Sequence, residues 1–435
     1  MMKRIVVTGI GTVTPFGLGV ELLWQSLLNN KNGITKITDN NIQGDVVGIA
    51  GILPKVDFTA YQNKLPFILC RIPEDDSIKT FFVAANEAIT HSGLDFLNYS
   101  KTNRVASFVA DRSLSRILYI DQYAPLIKKC INEQGIFSER DFYQLIEQQN
   151  IDKNAFYNDC ESFNHYLSRV YNITGPQLSI STACASSNST IGEAFLKIQH
   201  GFIDVAIAGG AYNFDLNAMI GFTRIGALTQ NPDPETACCP FDRRRSGFVM
   251  GSGCGILILE ELEHAKRRNA NILCEIKGYG YYSDSFRSTD PDPEALGITR
   301  TINACLEMAK LRPEDISYIN AHGTSTQMND KYETVGIKNV FKEFSYQIPI
   351  SSTKSMIGHP IMAAGAIEAI VCIKSLQENV IHPTHNWKER DSELDLDYVP
   401  EFPREKKINN VLSNNFGFGG QNASIIYSKF NNHEN

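Results

Sequence analysis

No two of the ten cysteines in this 435-residue chain stand at Cys-x-x-Cys spacing. That argues against a zinc motif, and a chain of this length has no need of a disulfide scaffold, so a reducing cytoplasm fits best. Positive charge is not in excess. With 41 Lys+Arg against 48 Asp+Glu the formal charge is −7, which makes the chain a poor general nucleic-acid binder. An anionic partner would have to meet a local basic patch. No apolar run approaches the length of a membrane span. The apolar start from Met1 breaks at Gly9, so it reads as a first strand rather than a signal peptide. A third glycine is missing as well. Gly9 and Gly11 suggest a dinucleotide fingerprint, but Thr14 stands where its last glycine belongs, and a tight strand-to-helix turn is the better reading.

What is present is 43% hydrophobic content, ample for a large core and for more than one domain or a duplicated one. Strand and helix patterns alternate along the chain, which indicates α/β layers. Buried strands are expected near residues 4–14, 103–110, 178–182, 204–210 and 253–260, with helices over 21–28, 75–91, 121–135, 139–149 and 261–269. A second cycle opens at Leu273 with a similar strand-and-glycine pattern. It continues through a helix at 299–310, strands ending at His322 and Lys354, an apolar helix at 363–377 and a last strand at 423–427.

The most informative stretch is Leu178-Ser-Ile-Ser-Thr-Ala-Cys184-Ala-Ser-Ser, a buried strand that runs into a helix with a cysteine at the junction. A helix N-terminus offers unpaired N–H groups and a positive dipole end, which favour the nucleophilic thiolate. An isolated cysteine is more often an inert core residue, but three further segments place reactive groups where strands end. They are His322 in Asn-Ala-His-Gly-Thr-Ser-Thr, Lys354 with His359 in Ser-Thr-Lys-Ser-Met-Ile-Gly-His-Pro, and the loop Phe416-Gly-Phe-Gly-Gly. Ligands gather at strand carboxyl ends in open α/β sheets, and a thiol beside two histidines suggests acyl transfer through a thioester. Glycines flanking both histidines suggest close approach by a ligand. A cysteine with two histidines is also a partial zinc set; wide sequence separation and a missing fourth ligand argue against it. His382-Pro-Thr-His385 is a weaker metal signal and reads as a loop.

The ordered series Thr182-Ala-Cys184-Ala-Ser, Pro240-Phe-Asp-Arg-Arg-Arg-Ser-Gly-Phe, Asn320-Ala-His322-Gly-Thr-Ser-Thr, Asp330 with Glu333, Lys354-Ser-Met-Ile-Gly-His359, Ala363-Ala-Gly-Ala-Ile-Glu368 and Asn415-Phe-Gly-Phe418-Gly-Gly resembles the elongating, Cys-His-His β-ketoacyl-acyl carrier protein synthases of the thiolase-like superfamily. The resemblance implies two duplicated α/β halves in an α-β-α-β-α layering. Residues 1–270 would carry the nucleophile and an atypical insertion at about 112–171; residues 271–435 would carry His, Lys, His and the gating loop. It implies that Cys184 accepts an acyl chain, that the N–H groups of Cys184 and Phe418 form the oxyanion hole, and that Phe418 between Gly417 and Gly419 is the gate. His322 and His359 would stabilise the enolate left when malonyl-carrier loses carbon dioxide. Lys354, paired with Glu368, would fix the site electrostatically, with Asp330 and Glu333 as structural or ion-organising support. Thr324 and Thr326 would hold the pantetheine arm, Phe108 would line the acyl pocket, and Arg243, Arg244 and above all Arg245 would dock an acidic carrier protein. No metal and no cofactor beyond the carrier's phosphopantetheine is implied. The partners implied are an acyl carrier protein and either a second copy or a chain-length-factor-like homologue.

Two readings compete with this one. A catalytically silent chain-length partner would usually lack the nucleophile, and a thiolase would carry a second catalytic cysteine in the C-terminal part; the loop Phe416-Gly-Phe-Gly-Gly-Gln has none. Three segments depart from the family pattern. Ser107-Phe-Val-Ala-Asp-Arg-Ser replaces a glycine-rich pocket stretch, the 112–171 region is long, and Arg71-Ile-Pro-Glu-Asp-Asp is acidic where docking cations are usual. They suggest a specialised synthase, in polyketide or secondary lipid synthesis.

Overall fold

A computed structural model describes residues 2–37, 47–55, 76–99, 101–110, 123–148 and 163–431. The acidic stretch from Arg71 to Asp75 and parts of the 112–171 segment lie outside the described residues. The described part of that segment holds helices at 123–129, Glu139–Gln148 and Phe163–Tyr171.

In the first half the elements are β1 (Ile5–Thr14), α1 (Val20–Leu28), α2 (Asp76–Ser92), β2 (Val105–Ala110), α3 (Glu139–Gln148), α4 (Phe163–Tyr171), β3 (Gln177–Ser179), α5 (Ser186–Gln199), β4 (Val205–Tyr212), α6 (Leu216–Arg224), β5 (Gly253–Glu261) and α7 (Leu262–Arg267). In the second half they are β6 (Cys274–Ser283), α8 (Leu296–Ala309), β7 (Tyr318–Asn320), α9 (Gln327–Phe341), β8 (Ile350–Ser351), α10 (Ala364–Glu378), β9 (Asn410–Gly417) and β10 (Gln421–Ser428). All ten strands join one mixed sheet, in the order β8-β7-β9-β10-β6-β1-β5-β4-β2-β3, to which the short strand Gly17–Leu18 adds off β1.

The path is traced twice. In each half the spatial order is first, fifth, fourth, second, third strand. In each half the second strand runs parallel to the third and fourth, and the fifth runs antiparallel to the fourth and the first. The halves join where Ile5–Val7 of β1 pairs with Cys274–Ile276 of β6.

Five layers follow from which faces are apolar. Phe81, Phe82, Ala85 and Ile89 of α2 pack with Phe163 and Val170 of α4 on the outer face of the first-half strands. Ile302 and Cys305 of α8 and Ile337 and Phe341 of α9 cover the outer face of the second-half strands. Between the two, α5 and α10 pack against each other and against strands of both halves. Helix α10 is buried along most of its length, as a helix packed between the strands of both halves must be, and Glu368 is a charged residue within it. Ile367, Ile370 and Ile373 are fully buried, each worth about 1.5–3 kcal/mol in transfer free energy. No helix among the described residues is long and apolar enough to cross a membrane.

Strand β3 differs from expectation. It was expected to be buried, yet Gln177, Leu178 and Ser179 are exposed, because β3 is the last strand of its half and pairs only with β2. Strands β7 and β8 are also shorter than their apolar runs suggest, and the chain leaves strand geometry before His322 and Lys354.

Candidate active site

Cys184 follows β3 on a single 3-10 turn, Ala183–Ala185, which leads straight into α5. Ala183 has φ 49°, a left-handed conformation that costs a residue with a Cβ roughly 1–2 kcal/mol. That corner turns the sulfur out of the strand line. Its short polar neighbours hold it: Ser186 Oγ accepts from the Thr182 N–H at 2.8 Å and donates to the Ala183 carbonyl at 2.6 Å.

His322 lies just past β7, and His359 follows the helical turn Lys354–Ile357 after β8. One ligand atom from each of Cys184, His322 and His359 lies within 4.8 Å of the others, and all three residues are buried. The imidazole rings meet edge to face, centroids 5.3 Å apart at 83°. The three groups share a cavity of about 220 Å³ with Thr324, Thr326, Phe248 and Phe418.

A buried polar chain stands behind the histidines. Lys354 Nζ donates to Glu368 Oε1 at 2.5 Å, and both side chains are 1% exposed. Asn415 Nδ2 donates to Glu368 Oε2 at 2.8 Å and lies 3.3 Å from His322 Nδ1. Asn415 was visible only as one letter of the glycine-loop motif; its bridging role depends on three segments that meet only in space. Glu368 is buried, as its apolar neighbours suggested.

Asp330 and Glu333 act on backbone. Glu333 accepts the N–H groups of His322 and Gly323 at 2.9 and 2.8 Å. Asp330 accepts those of Thr324 and Phe241 at 3.0 and 2.8 Å. Two carboxylates on α9 thus hold the histidine loop in place. Thr326 caps α9 by accepting the Asn329 N–H at 3.2 Å, and its hydroxyl sits 3.0 Å from that of Thr324.

The electrostatics correct one expectation. The Cys184 thiol is not poised as a thiolate. Burial pushes it up to about 11, against the pull of Lys354 and of hydrogen bonds from the N–H groups of Phe418 and Cys184 itself. Desolvation outweighs the helix end because the sulfur is in a dry pocket. Burial, reinforced by Lys354, holds both imidazoles well below their usual range, and for His322 the neighbouring His359 adds to this. Both rings are therefore neutral at pH 7. Neither nitrogen of His359 has a hydrogen-bond partner among the described residues.

Other sequence expectations also change. The glycines beside the histidines make room for protein, not ligand: a Cβ at Gly323 would come 2.7 Å from Ser352 Cβ, and one at Gly358 would come 2.7 Å from the Met250 carbonyl oxygen. Gly417 does matter to the site, since a Cβ there would sit 2.9 Å from the Thr182 oxygen and 3.0 Å from the Cys184 nitrogen. Next to it, Phe418 is half-buried and tilts against Phe222, and Gly419 is exposed with φ 81°. Arg245 cannot dock a partner. It is buried and its guanidinium is committed to Asp391 at 2.7 Å. Arg244 is exposed but tied to Asp242 at 2.8 Å, and Arg243, 69% exposed and paired with Glu389, reaches furthest outward. Nothing in three successive arginines tells which one turns inward. Phe108 is fully buried among Ala185, Ile191 and Phe195, beneath the nucleophile's helix, and does not line the cavity. His382 is a core residue whose Nε2 faces the hydroxyls of Ser351 and Thr353 at 3.2 Å. The three-donor triangle, finally, shows that distance along the chain was a poor argument against metal ligation.

Residues 2–265 match the β-ketoacyl synthase N-terminal domain and residues 273–388 the C-terminal domain. Among curated relatives, the 3-oxoacyl-[acyl-carrier-protein] synthase 2 of Coxiella burnetii is 36% identical over 431 residues, covering 98% of this chain and 99% of that protein. A putative polyketide β-ketoacyl synthase 1 of Streptomyces cyaneus is 35% identical over 429 residues, with 98% of each chain covered. Among solved structures, a β-ketoacyl synthase from Burkholderia phymatum superimposes with a TM-score of 0.84 at 29% identity, covering 99% of this chain and 100% of that one. The ishigamide ketosynthase/chain length factor does so at 0.82 and 28%, with the same coverage. With Cys184, His322 and His359 meeting at one cavity in a twice-traced thiolase-like fold, this chain belongs to the β-ketoacyl synthase family of acyltransferases.

Proposed function

We propose that this enzyme condenses a Cys184-bound acyl group with a malonyl unit on an acyl carrier protein, giving a β-ketoacyl-carrier two carbons longer. The observation that carries the reading is the convergence of Cys184, His322 and His359 within 4.8 Å at one buried cavity.

In the first step Sγ attacks the carbonyl of the acyl-carrier thioester. The N–H groups of Cys184 and Phe418, both of which favour the ionised sulfur, would receive the negative charge that develops on oxygen. The sulfur starts as a thiol, so its proton leaves with the departing pantetheine sulfur, and the exchange is neutral overall. In the second step the malonyl carboxylate leaves as carbon dioxide, and its electron pair becomes an enolate on the thioester. Two neutral imidazoles can each donate an N–H to that oxygen. The enolate carbon attacks the acyl-cysteine, and Sγ leaves as thiolate and takes up a proton. Asn415, linked to Glu368 and Lys354, positions His322. Thr324 and Thr326 line the approach as hydroxyls for the pantetheine arm, and the acyl and malonyl groups arrive on the carrier's own prosthetic group.

Two finer points belong to the same proposal. The exposed edge of β3, with Leu178 43% exposed, suits pairing with a second copy or a chain-length-factor-like subunit. The replacement of a glycine-rich stretch by Ser107-Phe-Val-Ala-Asp-Arg-Ser favours a specialised polyketide or lipid pathway over housekeeping elongation. Intact-protein mass spectrometry after incubation with a panel of acyl-carriers tests the reading. Wild type should gain one acyl mass at Cys184, and Cys184→Ala should gain none and lose condensation by about 10⁴-fold or more. An alanine variant that still condenses acyl and malonyl carriers would refute the assignment. Ordinary long saturated acyl-carriers proving the best substrates would refute the pathway.

A further inference from the structure

We propose that Cys184, His322 and His359 also form an inhibitory site for a thiophilic divalent cation, Zn(II) above all, which binds the nucleophile and reversibly silences the enzyme. The donor set is one sulfur and two imidazole nitrogens, all within 4.8 Å of one another and all buried. Zinc sites with three protein ligands and an open fourth position are built from such groups, in a tetrahedron with bonds of about 2.0–2.3 Å. Ligands on a tetrahedron of that size lie roughly 3.3–3.8 Å apart, so small rotamer adjustments close the triangle. The fourth position opens on the cavity, where water or a small anion completes the shell.

A second observation points to a ligand. His359 is 2% exposed, yet neither of its ring nitrogens has a hydrogen-bond partner among the described residues. A buried imidazole normally satisfies at least one nitrogen with protein; this one is left free toward the cysteine and the other histidine. The nearby cation does not forbid binding, because the Lys354 ammonium is matched by Glu368 at 2.5 Å. Two features restrain affinity. Binding must release the Cys184 thiol proton, so it strengthens as pH rises. It must also settle His322 in a tautomer that leaves a lone pair on the cavity side, at the expense of the 3.3 Å contact with Asn415. Neither the ion nor its binding takes part in condensation. The site uses the catalytic triangle but does not depend on the condensing chemistry assigned to it.

The test uses the full-length protein, freed of metal by chelator and dialysis, with Zn(II) and Co(II) as probes. Titration with Co(II) should give one equivalent bound with thiolate-to-cobalt charge-transfer absorption and tetrahedral visible bands. Zn(II) should abolish those bands and slow alkylation of Cys184 by iodoacetamide by more than about tenfold, with EDTA restoring the rate. Enzyme alkylated beforehand at Cys184, its fold checked by an unchanged melting temperature in EDTA, should show no charge-transfer band. His359→Ala should weaken Co(II) binding by about tenfold or more, with an unchanged melting temperature in EDTA showing that the variant is folded. The proposal falls if alkylated enzyme binds Co(II) as tightly as untreated enzyme, if the bands are octahedral and lack charge transfer, or if Zn(II) leaves alkylation unchanged. Those results locate metal elsewhere and leave the condensing role of Cys184 untouched.

Discussion

The two halves of the molecule trace the same strands in the same order and sense, yet contribute unlike chemistry. After the third strand of the first half comes Cys184; after the third strand of the second half comes Lys354. The second strand of the first half ends at Ala110, where the described residues break off, whereas its counterpart β7 is followed by His322. The fourth and fifth strands are joined in the second half by the tight Phe418–Gly420 turn, and in the first half by a long connection that carries α6 and the three arginines. The lesson is that the scaffold repeats but the site does not. One half supplies the sulfur, and the other supplies the imidazoles, the ammonium and the Phe418 N–H that favours the ionised sulfur. The two middle helices, α5 and α10, bring these groups face to face.

If the second half is a preorganised electrostatic frame, breaking its buried pair should have a large structural effect. Glu368→Ala leaves Lys354 buried without its carboxylate, and we expect a loss of about 3–5 kcal/mol in unfolding free energy. Replacing both partners, Lys354→Met with Glu368→Leu, should recover most of the stability but not condensation. Urea denaturation of the two variants checks this, and equal destabilisation of the single and double variants would show that the pair is not coupled.

The first half can be probed through its sulfur. A thiol raised to about 11 by burial stays mostly protonated at neutral pH, and its thiolate fraction grows as pH rises toward that value. Alkylation of Cys184 should therefore keep accelerating between about pH 7 and 10, roughly tenfold per pH unit. A plateau below pH 8 would mean that the helix end and Lys354 outweigh burial after all.

A smaller effect is expected in the connection peculiar to the first half. Arg243 is exposed and shares its charge with Glu389. Arg243→Glu should weaken carrier protein binding by a few-fold at low salt and by less at high salt, as a rim charge does. The reversed charge at Arg245 should instead destabilise the fold, because that side chain is buried against Asp391. Steady-state kinetics against carrier concentration, with a melting curve for each variant, separates the two.

Much of this was legible beforehand, for physical reasons. Strand ends that carry Cys184, His322 and Lys354 are local patterns, and local patterns survive folding. The burial of Glu368 showed in the apolar residues around it. What could not be read was whatever depends on distant neighbours. Asn415 matters because Glu368 and His322 flank it. Arg245 turns inward because Asp391 waits there. Gly323 and Gly358 are small because Ser352 and Met250 crowd them. The thiolate expectation failed for the same reason, since the sequence shows a helix start but not how dry the pocket above it is. Strand β3 was misjudged because an apolar run does not reveal that it ends a sheet.

The most direct test of shared labour between the halves is the fate of a preloaded acyl-enzyme when malonyl-carrier is added. In wild type, peptide mass spectrometry should show the Cys184 adduct discharged as β-ketoacyl-carrier forms. In His359→Ala the adduct should form normally but discharge about 10²–10⁴-fold more slowly. Discharge at the wild-type rate, or an adduct on any residue other than Cys184, would contradict the division of chemistry described above.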